Sequence, residues 1–212
     1  MNLRTILLWF GAIAGPITLL LQLYLTLVAR LADGDSVLGT LFYFATFFTI
    51  LTNAMMALCY VAAVSGWTWL GWWRTSFARA LTAGSIAMVS LYYIFFLSGL
   101  TDPSGLGAIL NIYMHYLAPW LFVLWWILTP AHGTLRYADM PRMLVYPLVY
   151  LVVVMIRGAL VNEYPYPLLR ANEFGYVQVA INCVFMLIGF VVIYALTVLI
   201  DRWLGRRQPS AA

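Results

Sequence analysis

The chain has no lysine, and its charged residues make up only 8% of 212 positions. Soluble domains carry about 25%, so too little charge is available to solvate a water-exposed fold. A soluble enzyme, a secreted disulfide scaffold and a disordered chain are thereby excluded. The two cysteines, Cys59 and Cys183, lie inside apolar stretches with no CxxC or metal spacing, so they give no clue to the redox compartment. Two histidines, His115 and His132, are too few and too far apart in sequence for a zinc or di-iron site, so neither metal nor cofactor is expected. There is no GxGxxG after a strand pattern, no P-loop and no carboxylate pair inside an apolar run. Nucleotide binding and glycosidase chemistry drop out with them. The net charge of +4 comes from arginines that stand singly between apolar runs; without a basic face to follow a phosphate backbone, no nucleic-acid partner is expected.

What the chain has instead is apolar length. It is 65% hydrophobic, and a helix needs about 20 apolar residues to cross a bilayer. Runs bounded by charge, Gly, Pro or Asp fall at roughly 5–29, 38–64, 77–100, 108–129, 142–161 and 176–200. The expected fold is all-α, a polytopic membrane bundle of six transmembrane helices forming one domain over 1–207, with 208–212 a disordered tail. The first run is too long for a signal-peptide core, contains Gly15-Pro16 and lacks a small-residue cleavage site, so it counts as helix one. An even number of spans puts both termini on one side. Arg4, Arg74, Arg79, Arg136, Arg142, Arg202, Arg206 and Arg207 fall on that side, against Arg30 and Arg170 on the other. Positive charge marks the cytoplasm: both termini are expected there, in a multi-pass protein of the cell inner (plasma) membrane. The tryptophans near residue 70 read as an interfacial belt.

Ionisable side chains within a span cost about 2.5 to 3.5 kcal/mol for Arg on insertion scales and are functional candidates by default. Two qualify, His115 and Arg157, both in the outer half of the bundle. Asn111 lies one turn above His115 on the same helical face, Asn182 in the outer half of helix six, and Thr49 near the middle of helix two. Thr46, Thr49, Asn53, Met56 and Tyr60 recur at intervals of three and four, a stripe suited to face the interior. Pro119 has no amide proton, which deprives the His115 carbonyl of its helical partner and predicts a kink at the histidine. Ordinary structural roles compete for each residue: a threonine usually bonds its preceding-turn carbonyl, an intramembrane histidine bridges helices, and Arg157 clamps to Glu163 or to a backbone carbonyl.

A hydroxyl becomes a nucleophile when a base takes its proton, and imidazole suits that exchange near neutral pH. Such a pair would attack an acyl carbon. Phe47-Phe48-Thr49 with Ile50-Leu51-Thr52-Asn53, and Asn111-Ile112-Tyr113-Met114-His115 with Pro119, resemble the two motifs of the androgen-induced-gene family of transmembrane threonine hydrolases. That resemblance implies Thr49 as nucleophile and His115 as general base in hydrolysing fatty acid esters of hydroxy fatty acids within the bilayer. Over residues 40 to 207 the chain also resembles the bacterial six-helix Pr6Pr family, through Arg157-Gly158-Ala159, Tyr164-Pro165-Tyr166-Pro167, Gly175-Tyr176 and Asn182. Trp125-Trp126 and Arg170-Ala171-Asn172 stand where aspartates are expected, so no third triad member is identified.

The expected activity is therefore intramembrane hydrolysis of an amphiphilic lipid ester. Asn53, Asn111 or Asn182 would donate to the oxyanion, and Arg157 would bind a substrate carboxylate near the outer leaflet. The alternative is a non-catalytic lipid-binding protein, transporter or sensor whose polar groups line a cavity. Inverted repeats would favour a carrier, and the two halves show no convincing similarity. A hydroxyl and imidazole within hydrogen-bond reach at a shared cavity would favour hydrolysis.

Overall fold

A computed structural model describes residues 2–100, 102–130 and 132–207; the tail expected at 208–212 lies outside them. The described residues contain no strand and include six helices long and apolar enough to cross a membrane. The chain is an all-α, multi-pass membrane bundle.

Helix α1 (Leu3–Ala32) begins where the Asn2 side chain accepts from the Thr5 amide at 3.0 Å, and has Arg30 in its last turn. Helix α2 (Val37–Phe44) is capped by Ser36. Helices α3 (Phe48–Ser65) and α4 (Ser76–Tyr92) are joined by Gly66, at a φ of 67°, and a 3-10 segment over Thr68–Arg74. Beyond α4 the backbone continues as a π-helical turn, Tyr93–Leu97. The fourth span is composite, running from α5 (Gly105–Ile112) through a second π turn (Tyr113–Leu117) into α6 (Ala118–Ile127). The chain ends with α7 (Met140–Val161) and α8 (Ala171–Arg207), the latter interrupted at Gly175, whose φ of 76° and ψ of 157° are not helical.

Helices α3 and α4 are the most buried spans and α7 the least. Thr46, in the turn before α3, and Thr49, Asn53, Met56 and Tyr60 on α3 are all buried. Tyr60, Phe122 and Trp125 pack ring against ring, with Ile86 and Tyr194 contributed by α4 and α8. Large apolar residues on α1, α7 and α8, such as Leu20, Val152 and Phe185, are exposed, as lipid-facing surfaces require.

The second span departs from the continuous helix expected over 38–64. Its backbone breaks at 45–47, where the Thr46 amide and hydroxyl both donate to the Tyr43 carbonyl, at 2.9 and 2.6 Å, and Phe47 is extended. Local side-chain bonds of this kind compete with the helical ladder, and apolar composition does not register them.

On the side of the termini, His132 and Asp201 form a pair whose side chains are each 1% exposed. His132 Nδ1 lies 3.1 Å from the carboxylate and Nε2 3.0 Å from the Trp126 carbonyl. The second Asp201 oxygen accepts the amides of Gly133 and Leu135, each at 3.0 Å. This arrangement fastens the connection after α6 to the last helix.

Candidate functional site

Breaking the second span places Thr49 in the first turn of α3, where amides lack helical partners. Thr52, Thr82 and Thr197 each return their hydroxyl to the carbonyl four residues back. Thr49 instead directs its hydroxyl across the bundle. Its Oγ1 lies 3.4 Å from His115 Nε2 and 3.4 Å from the Tyr166 hydroxyl, while its amide donates to that same tyrosine at 3.3 Å.

His115 sits in the middle of the second π turn, and both irregularities around it have a local cause. Pro119 cannot donate to the His115 carbonyl, and the Ala118 amide reaches back five residues to Tyr113. The Met114 carbonyl, thereby deprived of the Ala118 amide, faces Asn53 Nδ2 at 3.5 Å; the same nitrogen donates to the Thr49 carbonyl at 2.9 Å. Instead of the simple kink expected there, the backbone widens by one residue, a form frequent at functional sites. His115 Nδ1 is 3.0 Å from the Asn111 carbonyl. A carbonyl only accepts, so Nδ1 carries the hydrogen and Nε2 turns its lone pair to Thr49. The imidazole also stacks on Tyr93, with centroids 3.8 Å apart and planes 20° apart, and Asn111 Nδ2 donates to the Tyr93 hydroxyl at 2.7 Å. Two π turns, one after α4 and one inside the fourth span, thus meet at the histidine.

Of the six residues singled out from sequence, Thr49, His115, Asn53 and Asn111 come together. Asn53, however, donates to the Thr49 and Met114 carbonyls and Asn111 to the Tyr93 hydroxyl, bonds that tie neighbouring elements together. Arg157 and Asn182 serve a different segment. Arg157 donates to the Glu163 carbonyl at 3.1 Å and to its carboxylate at 2.6 Å, and Arg30 binds the other carboxylate oxygen at 2.8 Å while pairing with Asp35. Asn182 Nδ2 donates to the Leu168 carbonyl at 2.9 Å. Together they fasten the loop after α7 that carries Tyr166. Gly158 belongs to the same fastening, because a β-carbon there would collide with the Tyr164 ring. Burial opposes ionisation of Glu163, but the Arg157 hydrogen bond and the charges of Arg30 and Arg157 outweigh it and hold the carboxyl below its ordinary value.

Tyr166 and Tyr93 were not candidates on sequence grounds. The Tyr-Pro-Tyr-Pro run marked the loop without indicating that one of its rings reaches Thr49, and Tyr93 lies in an aromatic stretch with no distinguishing neighbour. Two further tyrosines bind α7 to the start of α3: Tyr150 donates to the Thr46 carbonyl at 2.7 Å and Tyr146 meets the Thr52 hydroxyl at 2.8 Å.

A cavity of about 200 Å³ adjoins this cluster, with Thr49 and Tyr166 in its wall. Phe48, Met88, Leu151, Met186 and Phe190 make most of the remainder apolar. Its rim includes Leu148, Val184 and Leu187, all exposed on the outer faces of α7 and α8. The opening is lateral, toward the surface that lipid covers. His115 stands behind Thr49 and is not part of the cavity wall. Comparison of the chain with known protein families, with curated proteins and with solved structures finds no match.

Proposed function

We propose that this membrane protein hydrolyses lipid esters within the bilayer, with Thr49 as nucleophile and His115 as general base. One observation carries the reading: a threonine hydroxyl released from its own helix faces the lone-pair nitrogen of an imidazole at 3.4 Å, at the wall of a laterally open apolar cavity. That distance is long for a settled hydrogen bond, as is common in catalytic pairs without substrate. The Asn111 carbonyl fixes the tautomer and Tyr93 the plane of the ring, so the base is oriented without an acidic third member. His115 accepts the Thr49 proton as Oγ1 attacks the ester carbon, then returns it to the departing alcohol. Water hydrolyses the acyl-threonine and releases the acid.

The resemblance to the androgen-induced-gene and Pr6Pr families supports the same two residues, and fatty acid esters of hydroxy fatty acids are the first substrates to try. In this reading Asn53, Asn111 and Asn182 set backbone geometry. Arg157 anchors the Tyr166 loop through Glu163, while a substrate carboxylate would compete with Glu163 for its guanidinium. The arginine bias supports cytoplasmic termini, and with them a site in the outer half of the inner membrane. In nanodiscs, Thr49→Ala and His115→Ala should each abolish both ester turnover and labelling by a fluorophosphonate probe at unchanged folded yield. Wild-type turnover in both variants would refute the mechanism.

A further inference from the structure

Deprotonating Thr49 is half of an acyl transfer; the other half is a donor for the charge that forms on the carbonyl oxygen. Both Asn53 amide hydrogens go to backbone carbonyls, and Asn111, which gives one of its two to Tyr93, is not among the residues that line the cavity beside Thr49. Resting on the hydrolase reading, we infer that the Tyr166 hydroxyl is the oxyanion donor, and that the ester binds with its acyl chain in the apolar cavity that Tyr166 and Thr49 share.

The position is suitable. Tyr166 is 3.4 Å from the nucleophilic oxygen and accepts from the Thr49 amide at 3.3 Å, so the oxygen of a carbonyl whose carbon is attacked by Oγ1 comes within reach of the phenol. Proton supply is suitable too. The Tyr150 hydrogen is committed to the Thr46 carbonyl at 2.7 Å, and in the attacking geometry the Thr49 hydrogen faces His115. With those two hydrogens directed elsewhere, the Tyr166 hydrogen is available to an arriving carbonyl oxygen. Burial pushes the phenol above its ordinary value, against the lowering effect of its Thr49 contacts, which keeps it a donor. The loop is held in advance by the Arg157–Glu163–Arg30 cluster, by Asn182 and by the prolines on either side of Tyr166. Such preorganisation is what makes an oxyanion donor effective.

The electrons balance. As the Oγ1–carbon bond forms, the carbonyl π pair moves onto oxygen, where Tyr166 O–H donates to it, and the Thr49 hydroxyl proton passes to His115 Nε2. Collapse of the adduct restores the carbonyl and breaks the bond to the alcohol oxygen, which takes the proton from His115. Attack by Thr49 with the oxyanion at Tyr166 leaves the lateral cavity for the acyl chain. Among the described residues that line it, Thr49, Tyr92, Tyr150, Tyr166 and Cys183 carry a hydroxyl or thiol.

The test is Tyr166→Phe in the full chain in phosphatidylcholine nanodiscs, assayed on a fluorogenic ester of a hydroxy fatty acid beside Thr49→Ala. The expected result is a kcat lower by about 10²–10³-fold, a KM changed by less than threefold and equally slowed fluorophosphonate labelling. Wild-type kcat in Tyr166→Phe with an inactive Thr49→Ala overturns the donor role alone; wild-type turnover in Thr49→Ala overturns both readings. If Tyr166→Phe does not fold, difluorotyrosine at 166 keeps the ring and acidifies the phenol. It should introduce an alkaline loss of kcat at lower pH than the wild type shows, and an unshifted profile overturns the inference.

Discussion

Asp201→Ala should be among the most destabilising single substitutions on the side of the termini, and its cost follows from what the carboxylate accepts. It receives His132 through one oxygen and the Gly133 and Leu135 amides through the other, with its side chain 1% exposed. Removing one partner of a buried pair costs about 3–5 kcal/mol, a figure that already contains the roughly 1–3 kcal/mol of leaving the buried Leu135 amide without its acceptor. A loss of about 4 kcal/mol lowers the midpoint by roughly 8–16 °C for a chain of this size. His132→Ala takes away only one of the three donors and leaves both amides paired, so its shift should be clearly smaller. Thermal unfolding followed by tryptophan fluorescence in detergent measures both variants. A His132→Ala shift equal to or larger than that of Asp201→Ala, or an Asp201→Ala shift below about 3 °C, would refute the reasoning.

Gly158→Ala places a methyl group in the Tyr164 ring; overpacking of this kind costs about 1–3 kcal/mol and should also slow fluorophosphonate labelling by displacing Tyr166, whereas wild-type melting and labelling together would contradict the packing. The depressed carboxyl of Glu163 stabilises the folded chain fully above the ordinary carboxylate range and loses that contribution as pH falls through the depressed value. Melting temperature against pH should therefore decline in acid less steeply for Glu163→Gln than for the wild type, and parallel curves would count against the anchor.

The number of spans was legible because each is a long apolar run, and the α3 stripe because polar residues at intervals of three and four must share a face. The break at 45–47 was not legible, since it depends on Thr46 capturing the Tyr43 carbonyl instead of continuing a ladder. Pro119 announced an irregularity at His115, but a missing donor is compatible with either a kink or a π turn. Tyr166 was hidden for a different reason: it reaches Thr49 from a loop 117 residues downstream, and no local periodicity encodes that distance. Arg157 carried a strong signal that the residue matters, and its partner Glu163 was one of the two options available to a clamp.

The lateral mouth between α7 and α8 changes the unit in which affinity is measured. A molecule arriving through it is counted per lipid and not per litre, so occupancy follows mole fraction in the membrane and falls when inert lipid is added at constant total concentration. For the proposed hydrolysis, water becomes the reactant that must travel. Dilution experiments on this protein should accordingly vary the membrane, because diluting the buffer leaves the concentration at the cavity unchanged.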